Sequence, residues 1–196
     1  MAGSGEARLH GPRCRFGHNV HVDAVPPEHP WLHEKLAIQE SAIEGKGLFA
    51  TEDLPADLVV IRLAGRLVSS LELASLIDRA KADPSAAYVD TLTIYEDVHL
   101  VLSPATKVHF GNHSCDPNLW HVGPYDIATR RRVAAGEELT IDYGTQSGAS
   151  GFSMTCHCGS PHCRSVISSN DWRLRYLQDR YRNHWVPALE ERISGT

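Results

Sequence analysis

The chain has 196 residues, which is enough for one domain with a substantial core, with or without tails. Its apolar fraction of 42% and charged fraction of 22% are ordinary for a globular protein, and it contains no run of about 18 apolar residues, so we expect no transmembrane helix. The net charge is −5 and no basic stripe is visible, which argues against nucleic-acid binding and is compatible with a basic protein partner.

The first 35 residues are rich in Gly, Pro and His and show no clean periodicity, so we expect an N-terminal arm over 1–35. This stretch lacks the apolar core of a secretory signal, which predicts an intracellular protein, cytoplasmic in a bacterium and nuclear in a eukaryote. Cys14, His18 and His21 could in principle hold a metal ion, but a polar tail is the favoured interpretation.

Short apolar runs separated by Gly, Pro and Asp begin at Leu36 and predict several short strands joined by tight turns. A Gly-Lys-Gly sequence at 45–47 lies between two such runs. Glycine there would let the backbone approach a ligand closely, although such a pair is usually only a turn. Ser69 and Glu72 form a capping box followed by apolar residues at helical spacing, which predicts a helix over about 70–82.

Further strands are predicted beyond this helix. Residues 88–104 are rich in Val, Thr, Ile and Tyr, which is typical of two or three strands. Two more strands are expected near 125–133 and 138–143, and a flexible Gly/Ser segment follows at 145–151.

The C-terminal stretch begins at a suitable helix cap, Ser169 or Asn170, and its aromatic residues recur at every fourth or fifth position. This pattern predicts a helix up to Pro187 that docks an aromatic face on the core, with a dimer contact as the alternative. The aromatic residues are Trp172, Tyr176, Tyr181 and Trp185.

The stretch VHFGNHSCDPN, residues 108–118, carries more hydrogen-bonding and metal-binding side chains than a connecting loop needs. Asn112 and His113 stand side by side in it and either satisfy nearby backbone groups or bind a ligand. A Cys-His nucleophile pair is disfavoured, because Cys115 follows His113 too closely in the chain to oppose it.

Five cysteines in a chain without an export signal argue against a disulfide framework. Cys156, Cys158 and Cys163 stand at C-x-C-x4-C spacing, which is typical of zinc ligands. Cys115 is the favoured fourth ligand, because it would join this segment to the 108–118 stretch. Unrelated reduced cysteines are the less favoured interpretation. The other candidates for the fourth position are Cys14, His157 and His162.

The segment LTIDYG is typical of a strand in which Leu139, Ile141 and Tyr143 share one face. Two inward aliphatic residues followed by a tyrosine indicate a phenol directed into a cavity. From this pattern alone, an ordinary strand-end tyrosine with a satisfied hydroxyl is the simpler interpretation.

Taken together, these segments resemble the SET-domain protein lysine methyltransferases. The resemblance covers roughly residues 36–168, and no cysteine-rich pre-SET segment is present in this sequence. The chain is similar to minimal SET plus post-SET proteins. The matching motifs, in chain order, lie at 43–49, 110–118, 136–143 and, for the post-SET motif, 156–164.

The resemblance implies a mostly β fold of small curled sheets with a few short helices and a C-terminal helix. The segment of Asn112 and the strand of Tyr143 would form its threaded pseudoknot core, one of the rare exceptions to unknotted topology. The resulting divisions are an arm at 1–35, a SET domain at 36–146, a post-SET zinc-binding segment at 147–168 and a C-terminal helix at 169–196.

The resemblance also implies S-adenosylmethionine in a surface pocket, with a protein lysine entering by a narrow channel from the opposite face. Tyr143 would orient the amine where it meets the methyl group, and Tyr88 would be a second channel tyrosine, with Tyr95 as its competitor. The zinc ligands would be Cys115, Cys156, Cys158 and Cys163. The cofactor would contact Lys46, Gly47, Leu48, Phe110, Asn112, His113 and Tyr143.

Three positions depart from the family pattern. Ile141 stands where Phe or Tyr is usual, which leaves the number of methyl groups added open. His109 occupies a position that is often basic, and Leu63 replaces the tyrosine of a Tyr-x-Gly strand; both could weaken cofactor binding.

The leading hypothesis is therefore an active protein-lysine N-methyltransferase that acts on a histone or another basic protein. Nucleic-acid and membrane partners are not expected, and the oligomeric state is left open. The alternatives are a SET-like module that binds a peptide or protein without turnover, and a methyltransferase for small molecules or non-lysine groups.

Overall fold

The structure, a computed structural model, describes residues 25–83, 85, 89–104, 106–149 and 151–195, and the backbone of two short strands before them. Cys14, His18, Tyr88 and the side chain of His21 lie outside what is described. In chain order the strands are β1 (Arg15–Phe16), β2 (Val20–His21), β3 (Trp31–Leu32), β4 (Leu36–Glu40), β5 (Lys46–Ala50), β6 (Val59–Arg62), β7 (Gly65–Ser69), β8 (Thr91–Tyr95), β9 (Val98–Leu102), β10 (Asn112–His113), β11 (Leu119–Val122), β12 (Asp126–Thr129), β13 (Glu138–Ile141), β14 (Ser153–Thr155) and β15 (Val166–Ser168). The α-helices are α1 (Ser70–Ala82), α2 (Arg175–Arg180) and α3 (Pro187–Ser194), and 3-10 turns span Val108–Phe110, Tyr143–Thr145 and Asp171–Arg173.

The strands form several small sheets, which confirms the mostly β fold predicted from the sequence. Two four-stranded sheets run in the orders β10-β13-β5-β4 and β11-β12-β6-β3, and a three-stranded sheet runs β7-β9-β8. The pairs β1-β2 and β14-β15 stand apart from these. β10 and β13 pair in parallel, and this contact places the 108–118 stretch beside the strand that leads to Tyr143.

One apolar cluster joins the three larger sheets. Leu139 and Ile141 of β13 are buried in it at 0% and 4% exposure, and Tyr143 packs half-buried against its edge, as the two-residue period predicts. Burying a side chain of this size stabilises the fold by roughly 1.5–3 kcal/mol. This burial fixes the position of β13 in the core. It therefore also limits where Tyr143, two residues beyond the end of the strand, can lie.

Helix α1 occupies the range that the capping box predicts. The Ser69 hydroxyl accepts a hydrogen bond from the Glu72 amide at 3.3 Å, and the Glu72 carboxylate accepts one from the Ser69 amide at 2.9 Å. Helix α1 buries little of its surface against the sheet. Leu73 is buried, whereas Leu71 is 82% exposed.

The C-terminal stretch differs from the single continuous helix that its aromatic spacing predicts. It folds as a 3-10 turn, α2 and α3, because Asn183 adopts a left-handed conformation (φ 65°) and Pro187 begins a helix instead of ending one. Tyr176 is half exposed, and a separate cluster buries the other three aromatics, Trp172, Tyr181 and Trp185. Within the described residues, no helix is both long enough and apolar enough to span a bilayer.

Candidate active site and metal centre

The site is built where β10 pairs with β13. Asn112 lies opposite Thr140 and His113 opposite Ile141 in this parallel ladder. β13 also pairs with β5, which carries the Gly-Lys-Gly turn at its start. The sheet thus brings together three segments that are far apart in the sequence.

The Asn112 side chain ties the Gly-Lys-Gly turn to β13. Its Nδ2 group donates to the Glu44 and Lys46 carbonyls, both at 3.1 Å, and to Glu138 Oε1 at 2.8 Å. Glycine at position 47 leaves room for the Glu138 carboxylate, because a Cβ built there would overlap the carboxylate and displace it. Asn112 therefore has a structural role in holding the turn, whatever else it binds.

His113 is buried, at 3% exposure, and both of its ring nitrogens have partners. Nδ1 accepts a hydrogen bond from the Tyr143 amide at 3.1 Å, so we assign the ring proton to Nε2, which lies 3.4 Å from Cys115 Sγ. Burial lowers the pKa of His113 to about 4 even though Asp142 opposes the shift. The 3.7 Å approach of Nδ1 to Asp142 Oδ1 is accordingly not an ion pair of a charged imidazole.

Tyr143 stands at the edge of the core. Its hydroxyl donates to the Gly111 carbonyl at 2.9 Å, and its ring centroid lies 5.4 Å from that of His113. The Tyr143 amide, ring and hydroxyl each have a contact, so the phenol is held in one orientation. Its oxygen lies beside the backbone of the 108–118 stretch.

Tyr143 lines a cavity of about 340 Å³ with mostly apolar walls. Among the described residues of the wall, Asp90 is the only carboxylate, and none is a lysine or an arginine. Burial raises the pKa of Asp90 above its usual value, although nearby His109 opposes the shift. The apolar part of the wall includes Ile61, Leu63, Leu92, Leu102, Leu119, Ile127 and Ile141.

The structure describes only one of the two candidates for a second channel tyrosine, Tyr88 and Tyr95. Tyr88 lies outside the described residues, so its role stays a prediction. Tyr95 is buried in the core at the end of β8 and is not among the described residues that line the cavity. All three departures from the family pattern, Leu63, His109 and Ile141, line the cavity.

The cysteine cluster expected from the sequence is present and could bind a metal ion. The Sγ atoms of Cys115, Cys156, Cys158 and Cys163 all lie within 4.8 Å of one another. The two histidines weighed as alternative ligands, His157 and His162, are exposed and take no part in this cluster.

Backbone amides around the cluster suit thiolate ligands. The Arg164 amide points at Cys115 Sγ over 3.3 Å, and the Cys115 amide at Cys158 Sγ over 3.5 Å. Burial raises the pKa of Cys115 to about 11, whereas at Cys158 the hydrogen bonds from backbone amides outweigh burial and lower the pKa to about 7. Amides that stabilise negative sulfur favour a cation at the centre.

A buried ionic network lies next to the site, and the sequence did not predict it. Arg164 forms a two-pronged contact with the Asp142 carboxylate at 2.6 and 2.7 Å, and its Nε lies 3.0 Å from Asp171 Oδ2 at an angle unsuited to a hydrogen bond. The Tyr181 hydroxyl donates to Asp142 Oδ2 at 3.0 Å. The sequence offers one faint signal, which is that Asp142 and Arg164 directly adjoin Tyr143 and Cys163.

Comparison with known proteins identifies the family. Residues 45–144, half of the chain, match the SET domain, and the chain therefore belongs to the SET-domain family. It is 30% identical over 143 residues to the histone-lysine N-methyltransferase trithorax of Drosophila virilis, an alignment that covers 68% of this chain and 4% of that protein. It is 28% identical over 146 residues to human histone-lysine N-methyltransferase 2B, covering 69% of this chain and 5% of that protein.

A fungal relative aligns over more of the chain. The histone-lysine N-methyltransferase of Cryptococcus neoformans described as H3 lysine-36 specific is 27% identical over 162 residues, covering 79% of this chain and 19% of that protein. The chain thus spans less than a fifth of the length of these three relatives.

Proposed function

We propose that this protein transfers a methyl group from S-adenosylmethionine to the ε-amine of a lysine in a histone or another basic protein. The observation that carries the proposal is Tyr143, held by three separate contacts at the wall of a largely apolar cavity within a SET domain. The three relatives compared above are all named as histone-lysine N-methyltransferases, which supports it.

The cavity suits the side chain of a lysine. Its apolar walls can enclose an aliphatic stem, and the Asp90 carboxylate supplies the negative charge that attracts an ammonium group. A free lysine has a pKa of about 10.4 and must lose a proton before its nitrogen can accept a methyl group. Burial against the apolar walls favours this loss because it penalises the charged amine, whereas a charged Asp90 carboxylate opposes it.

Tyr143 would orient the amine. Its oxygen is fixed by the hydrogen bond to the Gly111 carbonyl, and a phenol oxygen can accept a hydrogen bond from an N–H of the amine or a weak contact from a polarised C–H. Transfer of a methyl group is an in-line displacement, and a fixed phenol contributes by alignment of the reactants. Ile141 beside it is aliphatic and offers no hydroxyl to anchor a water molecule there.

The cofactor, which supplies the activated methyl group, would contact the surface formed by β5 and the 108–118 stretch. A Cβ built on Gly45 or on Gly111 meets nothing within 4 Å, so both sides of this surface are open. Asn112 Oδ1 receives no hydrogen bond from the described part of the chain and is an acceptor suited to an ammonium group. We assign cofactor contacts to the backbone of Lys46, Gly47, Leu48 and His113 and to the side chains of Phe110, Asn112 and Tyr143.

We further propose that the metal is zinc. Four thiolates within tetrahedral reach of one another are typical of a structural zinc site that is closed to solvent ligands. The ion would join Cys115, beside the active site, to the post-SET segment that carries the other three cysteines. In a eukaryote, a histone substrate would be met in the nucleus, so a nuclear location is part of the proposal.

The experiment is a transfer assay with radiolabelled S-adenosylmethionine, core histones and a lysate of the host cell. The expected result is label on a protein band, mapped by mass spectrometry to lysine. Tyr143→Phe should reduce turnover by at least about tenfold while cofactor affinity, measured by calorimetry, stays within about twofold. No label together with no heat of cofactor binding would refute the proposal, whereas binding without label would favour a non-catalytic SET-like module.

A further inference from the structure

The turn that carries Tyr143 depends on a buried aspartate. Asp142 is the N-cap of the 3-10 turn Tyr143–Thr145, and its Oδ1 accepts a hydrogen bond from the Gly144 amide at 2.9 Å. Its carbonyl accepts hydrogen bonds from both the amide and the hydroxyl of Thr145, at 2.9 and 2.7 Å. A cap of this kind fixes the first residues of the turn, so the Asp142 carboxylate sets the direction of Tyr143.

The partners of this carboxylate come from later in the chain. Asp142 is fully buried, and apart from the Gly144 amide it is satisfied by the Arg164 guanidinium and by the Tyr181 hydroxyl. The Val186 amide closes the other end of the turn by donating to the Thr145 carbonyl at 3.0 Å. Tyr181 and Val186 both lie beyond residues 45–144, which match the SET domain.

The Tyr181 ring packs against Trp185 and lies near Arg130 and Arg180, whereas its hydroxyl contacts the Asp142 carboxylate. It is 1% exposed, and its hydroxyl meets Oδ2, the same oxygen that Arg164 Nη1 contacts. Without the hydroxyl, the Asp142 carboxylate would lose one of its four hydrogen bonds, and Oδ2 would be held by Arg164 alone. A less firmly held carboxylate is a weaker cap for the Gly144 amide, so the turn would loosen.

We infer that the segment 171–186 belongs to the active site, and that Tyr181 is a positioning residue that acts through Asp142 on Tyr143. The inference rests on the proposed function for its kinetic consequence, since Tyr143 is there the residue that orients the amine. Its structural consequence is independent of that function: the ring of Tyr143 moves or gains freedom when the Tyr181 hydroxyl is removed.

The kinetic test compares Tyr181→Phe with Tyr176→Phe. Tyr176 lies on α2 only five positions earlier but is 51% exposed, which makes it a matched control. We expect Tyr181→Phe to lower kcat about tenfold with both KM values within about twofold, and Tyr176→Phe to change neither. In a Tyr143→Phe background the Tyr181→Phe loss should shrink to less than about twofold, because the two residues act as one unit. An equal loss in both backgrounds would overturn the inference.

A second measurement needs no methyl transfer. The chain has six tyrosines, so a preparation with ¹³C-labelled tyrosine rings gives a simple NMR spectrum in which Tyr143 is assigned by its loss in Tyr143→Phe. Tyr181→Phe should shift or broaden the Tyr143 signal, and Tyr176→Phe should leave it unchanged. Asp142→Asn, which keeps an oxygen for the cap but weakens the arginine contact, should perturb the same signal. An unmoved Tyr143 signal in Tyr181→Phe would refute the inference. A moved signal in a protein without transferase activity would instead refute only the proposed function.

Discussion

Gly47 offers the sharpest test of how the turn, the strand and the 108–118 stretch are joined. In Gly47→Ala the new methyl group would overlap the Glu138 carboxylate and lie 3.2 Å from the ring of Phe49. Gly47 lies within β5 and does not have a positive φ, so alanine adds no backbone strain there. The effect of the substitution therefore measures the contact with Glu138.

The magnitude follows from the hydrogen bonds that the carboxylate would lose. Glu138 Oε1 accepts from Asn112 Nδ2 and from the Ser41 hydroxyl, both at 2.8 Å. A hydrogen bond to a charged group contributes about 1.5–3 kcal/mol. Both contacts are partly exposed to solvent, which places each near the lower end of that range, so displacement of the carboxylate should cost about 3 kcal/mol. For a chain of this size that corresponds to a fall in Tm of roughly 6–12 °C.

The assay is differential scanning calorimetry, followed by titration of each variant with S-adenosylmethionine. Gly111→Ala is the control for stability, because a Cβ there meets nothing within 4 Å and its φ is −77°. We expect Gly111→Ala to keep the wild-type Tm but to bind the cofactor more weakly. Gly47→Ala should have both a lower Tm and a weaker affinity for the cofactor. A Gly47→Ala protein with wild-type Tm and affinity would show that Glu138 moves at no cost, and the argument for a tight three-way junction would fail.

Two further predictions concern the metal and the pH dependence of stability. Purified protein should contain one equivalent of zinc by elemental analysis; Cys115→Ser should lose metal and weaken cofactor binding, while Cys14→Ser should retain both. Burial lowers the pKa of His121 to about 4, below its ordinary value of about 6.5, so the unfolded chain binds more protons between these pH values and stability falls on acidification. The slope should reach roughly 1.4 kcal/mol per pH unit for this one group. His121→Gln should reduce the slope of the urea-unfolding free energy with pH between pH 4 and 6.5, to which His113 also contributes, and an unchanged slope would contradict the assignment.

The parts of the fold that follow from local rules could be predicted from the sequence. The capping box gave the start of α1 because both of its hydrogen bonds lie within four residues. The alternation of β13 gave the shared face of Leu139 and Ile141 because side chains in a strand alternate between faces, whereas Tyr143 begins the 3-10 turn that follows the strand. The metal cluster could be predicted for a chemical reason, since three closely spaced thiols in a chain of this kind require a fourth ligand, and Cys115 is the cysteine that adjoins the predicted site.

The C-terminal stretch shows where local rules fail. Its aromatic spacing predicted one helix, but the left-handed Asn183 and the restriction imposed by Pro187 on Val186 divide it, and burial of Tyr181 and Trp185 compensates for the lost helical hydrogen bonds. The partners of Asp142 could not be predicted either, because Tyr181 lies 39 positions away and only the tertiary fold brings them together.

His113 contacts both the Tyr143 segment and the cysteine cluster. One ring nitrogen accepts from the Tyr143 amide and the other faces Cys115 Sγ. A neutral imidazole carries one proton, so the acceptor role of Nδ1 toward Tyr143 leaves Nε2 as the donor toward sulfur. A metal ion on Cys115 would keep that sulfur negative and would strengthen the contact. Loss of the metal would leave a protonated thiol, a much weaker acceptor, and would release one side of the ring that supports Tyr143. Metal occupancy and the orientation of the phenol would therefore be coupled through a single imidazole, and we expect removal of the metal to disturb the Tyr143 ring signal even where the fold survives.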